Sequence, residues 1–307
     1  LEENVLVLND FALELDGKNV YEGPVCGAWH THFYSAPDGT PFKATYTFRS
    51  ECDLDGCFAA IEVAENLDSI TFNGDPARPL KTPGELGAFN PEESWKDINF
   101  TRVPLQRISK GLNTLVIEGR KVNNITGAGA HVRVSDWRNH RPTEAEEVYI
   151  CGRFSLKPTS VGHFVIAPFK NPSGKNLTTE GFPFYSGRIT LQGEFDLQDN
   201  PGRVYLTLNG AALASARVKV NGRDCGILRW NPYALEITDA VKAGPNSVEI
   251  DAATTLVNAF GPNRIAGIKD ETGIGPGSFC QMDHFKESYE LFDFGVESVS
   301  IYVEAGS

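Results

Sequence analysis

The sequence predicts an all-β protein made of two tandem β-sandwiches. Three observations carry this reading. Short stretches of two-step apolar alternation dominate the chain, turn residues separate them at short intervals, and the whole pattern occurs twice. The composition permits it, since 307 residues with 41% hydrophobic and 22% charged content suffice for two domains with apolar cores.

Taken in order, residues 43–48 (KATYTF) set Ala44, Tyr46 and Phe48 on one strand face, SITF sets Ile70 and Phe72, and NTLVIE sets Leu115 and Ile117. In the second half, RVYLTL offers Val204, Leu206 and Leu208, ARVKVNG offers Val218 and Val220, LEIT offers Leu235 and Ile237, and SVEIDA offers Val248 and Ile250. Asn73-Gly74, Gly111, Asn200-Pro201-Gly202, Asn221-Gly222 and Gly244-Pro245 punctuate these runs. Only residues 141–148 (RPTEAEEV) offer a helical start, with Thr143 as its cap. A (β/α)8 barrel, which needs a helix after each strand, has no place here.

The repeat is direct. SITFNGDP at 69–76 matches RVKVNGRD at 217–224, and residues 108–127 match 241–261 through a shared Gly-x-Asn and the strand that follows it. An Asn-Gly pair supplies the two positive-φ residues of a tight hairpin. The expected division is a first sandwich at 1–145 and a second at 146–307, with VYICGRFSL at 148–156 able to open the second or close the first. The stretch GFPFYSGRITLQGEF at 181–195 starts as an aromatic knot between Gly181 and Gly187 and becomes a strand. Phe182, Phe184 and Tyr185 read as a packed corner, with a ligand platform as the alternative.

Several blocks resemble a known family. GFPFYSGRITL, ARVKVNGRDCG, WNPYALEITDAVKAGPNSVEI and TTLVNAFGP are similar to the downstream galactose-binding-like jelly roll of large bacterial glycoside hydrolases. The nearest likeness is to the carboxy-terminal region of family 106 α-L-rhamnosidases and family 2-like enzymes. The first half, through FNGDP, WKDINF and LQRISKGLNTLVIEG, resembles the companion sandwich. The resemblance implies two tandem jelly-roll sandwiches, an upstream catalytic barrel in the same polypeptide, and an extracellular or periplasmic bacterial setting. No catalytic residue of that barrel maps onto this sequence, so the chain alone is expected not to catalyse. It also implies that a structural calcium can occur, for which DLDG (53–56) and DLQDN (196–200) offer some oxygens; no other cofactor is required.

Charge narrows the partners. A net charge of −12 and a pI near 5.0, with no Lys/Arg cluster, exclude the basic footprint of a nucleic-acid binder and disfavour an anionic membrane surface. No apolar run approaches the ~18–20 residues that span a bilayer. The expected partner is a glycan, oligo- or polysaccharide. Flat aromatic faces stack on sugar rings and carboxylates accept from hydroxyls, which makes Trp95 with Asp97 in PEESWKDINF the leading candidate site, with Trp29 and Trp137 beside loops as further candidates. Trp230 in RWNPYALEIT reads as a packed strand entry, and Trp95 as a plug for its own sandwich is the competing reading.

Other constellations carry less. His30 and His32 share a face if they lie on a strand, but no third ligand is evident. Asp53/Asp55, Glu92/Glu93 and Glu146/Glu147 are acid pairs that read as solvated turns rather than the paired carboxylates of glycoside hydrolysis. The six cysteines fit no zinc spacing; Cys52 and Cys57 could close a small hairpin or remain thiols. The chain opens on Leu1-Glu2-Glu3-Asn4 and reads as a piece of a longer protein. Sequons stand at Asn99, Asn124 and Asn176, and do not establish secretion.

Overall fold

The computed structural model describes residues 1–33, 35–82, 89–122, 143, 145–160, 163–198, 202–267 and 281–305. The chain folds into two compact all-β units. The larger comprises Val5–Phe169 and Arg264–Glu290, and the smaller comprises Leu1–Asn4, Lys170–Asn263 and Leu291–Ser307.

The larger unit is formed by β1 (Asn4–Leu8), β2 (Asp10–Leu15), β3 (Lys18–Pro24), a helical turn α1 (Val25–Ala28), β4 (Pro41–Ser50), β5 (Phe58–Glu62), β6 (Ser69–Phe72), β7 (Asp75–Pro76), β8 (Ser94–Trp95), β9 (Asp97–Pro104), β10 (Gly111–Arg120), β11 (Val148–Gly152), β12 (Ser155–Ser160) and β13 (His163–Ala167). One sheet runs β1-β11-β5-β9-β8; the other runs β12-β13-β4-β10-β6-β7, with β2 and β3 joined to it through β4. The smaller unit contains β14 (Arg188–Leu197), β15 (Gly202–Asn209), β16 (Ser215–Val220), β17 (Arg223–Leu228), β18 (Ala234–Glu236), β19 (Gly244–Ala253), the short helix α2 (Val257–Phe260) and β20 (Ser298–Ala305). Its sheets run β14-β19-β16-β17 and β18-β15-β20.

The two units share one topology. The order β4-β10-β6-β7 over β11-β5-β9 in the larger is the order β14-β19-β16-β17 over β20-β15-β18 in the smaller, strand for strand along the chain. The repeat in the sequence is therefore a repeat of the fold. Asn73 and Gly74 have φ of 52° and 91°, and Asn221 and Gly222 have 51° and 79°, as a two-residue hairpin turn requires.

The cores follow the alternation. Ala44, Tyr46, Phe48, Ile70, Phe72, Leu115 and Ile117 are buried in one unit, and Val204, Leu206, Leu208, Val218, Val220, Ile237 and Ile250 in the other. Leu235 and Val248 are only half-buried. The aromatic knot is a corner: Phe182, Phe184 and Tyr185 are buried, the Tyr185 hydroxyl donates to the Arg188 carbonyl at 2.5 Å, and it accepts from the Glu2 amide at 2.9 Å. Asn258, wholly buried, ties this corner to the chain end by donating to the Pro183 and Phe292 carbonyls and accepting from the Phe292 amide.

The units do not divide the sequence as 1–145 and 146–307. β11 pairs with β5 (Tyr149↔Ala60), and β13 meets β4 (Ile166↔Ser50), so residues 148–167 close the larger unit. All five residues of β11 are buried, as a strand completing a sheet between neighbours must be. β20 supplies the same strand to the smaller unit from the far end of the sequence. Of the segment read as a helical start, residues 145–147 carry no helix and Val148 is in a strand, whereas 141, 142 and 144 lie outside the described residues.

Candidate functional site

The site grows from one strand edge. Along β4, Pro41 accepts from the Asp16 amide through its carbonyl, and Glu51 just beyond β4 donates its amide to the Ile166 carbonyl, at 3.0 and 2.8 Å. Alternate residues share a hydrogen-bonding side, so Thr47 and Arg49 also direct their backbone groups toward that edge. β2 pairs with β4 only from Phe42 to Thr45, and β13 touches it only at Ser50. Between those limits the two strands diverge and a cleft of about 600 Å³ opens. Its walls come from β2 and β13, its depth reaches Leu6 and Val7 of β1, and Tyr289 closes one side.

Asn9 and Asp10 stand at the head of β2, on the wall of this cleft. Asp10 is fixed by Arg264, whose Nη1 lies 2.7 Å from its Oδ2 while Nη2 lies 2.9 Å from Glu287 Oε2. The Arg264 side chain is only 5% exposed. Its guanidinium carbon sits 4.6 Å from the centre of the Phe285 ring and 5.9 Å from that of Tyr289, so two aromatic rings shelter the cation. Asn9 accepts the Tyr289 hydroxyl at 2.5 Å and hydrogen-bonds Glu147 through its side chain. Phe164 and Tyr289 stand 5.7 Å apart at 52°, giving the cleft an aromatic flank.

Burial dominates the electrostatics. It pushes the Glu147 carboxyl above the usual carboxylate range, and the negative charge of Asp10 adds to this. It raises the Tyr289 phenol, and it pushes the Cys26 thiol up to about 12, with Glu147 reinforcing and Arg264 opposing. A fixed carboxylate, an amide with both ends engaged, an aromatic flank and open backbone groups can orient a polyhydroxylated ring, which needs acceptors and donors at its rim and an apolar surface beneath.

The sequence pointed elsewhere. Trp95 is 1% exposed, packed 5.3 Å from Tyr149, whose other flank meets Phe100 edge-on at 5.3 Å. It plugs its sandwich because the β8–β9 hairpin folds it onto the sheet. Asp97 is exposed but accepts the Asn99 amide at 2.8 Å, an Asx turn that shapes the hairpin. The two do not form a platform. Trp137, and the side chain of Trp29, lie outside the described residues. Trp230, read as packed, is 71% exposed, since the connection over residues 229–233 is too short to fold back over it.

The other candidates resolve similarly. Residues 29–33 form a wide helical turn rather than a strand on which His30 and His32 would share a face; the side chain of His30 lies outside the described residues, and His32 lies against Tyr21 with ring centres 5.5 Å apart. Asp53 accepts from the Lys110 amide and from Arg107, at 2.7 and 3.0 Å, which places it in a structural turn. Among the described residues no group of three or more His, Cys, Asp or Glu could hold a metal, and Cys52 and Cys57 are free thiols. Asp199 and Asn200 of DLQDN, and the Asn124 sequon, lie outside the described residues.

No family model and no curated protein matches the chain. Among solved structures it is similar to the rhamnosidase from Novosphingobium sp. PP1Y (17% identity, TM-score 0.31, covering 86% of this chain and 23% of that one). It is similar to a GH2 β-galacturonidase from Eisenbergiella tayi (14%, 0.28, 82% and 37%) and to the β-D-mannosidase from Dictyoglomus thermophilum (11%, 0.26, 82% and 31%). The chain thus spans about a quarter to a third of the length of these glycoside hydrolases. Likeness at this level does not select a family.

Proposed function

We propose that the chain is a non-catalytic accessory region of a carbohydrate-active enzyme, exported to the periplasm or beyond, and that it holds a saccharide in the cleft between β2, β13 and β4. The observation that carries this reading is the opening in the sheet with Asn9 and Asp10 held at its wall by Tyr289 and Arg264. The resemblance of roughly residues 148–261 to the jelly rolls that follow hydrolase barrels supports the accessory role. The barrel upstream would then be the catalytic partner.

The test is ligand titration of the chain followed by backbone amide NMR, using L-rhamnose, D-galactose, D-galacturonate and their disaccharides. At least one should move the amides of residues 9–12 and 163–165, and Asp10→Asn should weaken it about tenfold, the loss of one charge-assisted hydrogen bond. If none moves those amides, the cleft is not a saccharide site.

A self-contained glycosidase is the competing reading, favoured by the raised Glu147 carboxyl, since a general acid is tuned that way by burial. Aryl-glycoside turnover that Glu147→Gln abolishes would establish it; rates equal to a buffer blank support the accessory role.

A further inference from the structure

The sheet β18-β15-β20 of the smaller unit buries Val204, Leu206 and Leu208 on its inner face, which turns Arg203, Tyr205, Thr207 and Asn209 outward. Tyr205 is paired directly with Tyr302 of β20 and with Glu236 of β18. Directly opposed residues on one face have Cβ atoms about 5 Å apart, so the two phenols rise from neighbouring positions of one face, Tyr302 56% exposed and Tyr205 half-buried. Their flanks are polar. On one side Arg203 hydrogen-bonds Tyr205 and lies near Glu236 and Glu304; on the other, Asn209 donates to Ser300 Oγ at 2.8 Å.

The larger unit contains the same face. There the strand corresponding to β20 is β11, and its outward tyrosine, Tyr149, is covered by the indole of Trp95 from the β8–β9 hairpin. The smaller unit has only residues 229–233 at that point in the repeat, and there Tyr302 stays exposed beside a half-buried Tyr205. One copy of the fold therefore stacks a flat ring of its own on this face, while the other presents the receiving surface.

We propose that the Tyr205–Tyr302 face is a saccharide-stacking surface for a neutral polysaccharide, separate from the cleft of the larger unit. Phenol faces take the apolar side of a pyranose ring, and the Arg203, Glu236 and Ser300 rows reach its hydroxyls. Two carboxylates against one guanidinium disfavour an acidic chain, as does the protein's net charge of −12.

The test is affinity gel electrophoresis of the whole chain through galactomannan, xyloglucan and polygalacturonate. At least one neutral gel should retard the protein and polygalacturonate should not. Tyr205→Ala with Tyr302→Ala should weaken retardation about tenfold, while Tyr302→Phe, which keeps the ring, retains it. Circular dichroism melts of these variants should match the parent, because the rings face outward. The double variant should keep the saccharide-induced amide shifts of residues 9–12 and 163–165, which separates the surface from the cleft. Retardation by neither neutral gel, or retardation that survives the double variant, overturns the proposal. So does a dimer in sedimentation velocity that Tyr302→Ala dissolves, since a second copy would then occupy the face.

Discussion

Asn221 donates from Nδ2 to Oδ1 of Asn246 at 2.8 Å, and Asn73 stands to Asn113 in the other unit at the same distance. The surrounding bonds repeat as well. Asn113 Oδ1 accepts the Ser109 amide and Asn246 Oδ1 the Lys242 amide, each at 2.9 Å, and each amide group donates back to the same residue's carbonyl. Asn73 and Asn221 accept the amides of Thr114 and Ser247 from the neighbouring strands β10 and β19. In both sandwiches a buried asparagine, Asn113 or Asn246, thus holds the exposed asparagine of a tight turn against the start of the central strand.

The first prediction concerns that lock. Asn246, 2% exposed, has all its side-chain groups engaged. Asn246→Ala removes these hydrogen bonds from a buried site, which costs about 1–3 kcal/mol. Asn113→Ala should do the same in the larger unit. Urea unfolding followed by two probes, one in each unit, should show each substitution lowering the midpoint of its own unit. A loss under a few tenths of a kcal/mol at both sites would mean the pair is incidental.

This lock was legible because its parts are local or periodic. The Asn-Gly pairs and the Gly-x-Asn turns are contiguous words, and the two-step alternation around Tyr46 or Leu206 survives any tertiary arrangement. The cleft was not legible, because Asp10 and Arg264 meet across 254 positions and Asn9 and Tyr289 across 280. Asn9-Asp10 reads as a turn between two apolar runs, and Arg264 as one more charge in a glycine-rich loop. The allegiance of β11 was open for the same reason: strand pairing is decided by the partner, here β5, not by the strand's own residues.

The tryptophans give the second prediction. Trp95 and Trp230 sit in similar polar, proline-containing sequence surroundings, but Trp95 is carried by the β8–β9 hairpin onto Tyr149 while Trp230 is left 71% exposed. Trp95→Ala should cost about 3–5 kcal/mol, the usual loss for a buried large aromatic. Trp230→Ala should leave the melting temperature within error, since little of its surface is removed from water. Equal effects at the two positions would contradict the packing described.

Glu147 sets a pH dependence. Its carboxyl is raised above the ordinary value of 4.5 by burial first, then by Asp10. A group that holds its proton more tightly in the folded chain favours folding below the unfolded pKa, and that contribution is lost as pH rises through the folded pKa. Glu180 runs the other way, lowered by the Ser173, Asn176 and Gly174 donors around it, so its contribution is lost as pH falls. Urea titrations from acid toward neutrality should therefore show the parent losing stability relative to Glu147→Gln as pH climbs above 4.5. Parallel curves for the two proteins would remove Glu147 from the account.

Arg264 carries the last prediction. Its guanidinium is buried between Phe285 and Tyr289 while bonded to both Asp10 and Glu287. Both carboxylates keep access to water, with side chains 38% and 69% exposed, so most of the burial cost falls on the arginine. Arg264→Met keeps the apolar stem and removes the charge. It should cost about 3 kcal/mol, the low end of the range for a broken buried pair, because Asp10 can rehydrate. Asp10→Asn should cost less, since Glu287 still holds the cation. Combining the two should give a loss smaller than the sum by about 1 kcal/mol, the signature of residues in one network. Strict additivity in urea unfolding would mean that Arg264 acts through its stacking on the rings and that the carboxylate of Asp10 is positioned by β2 alone.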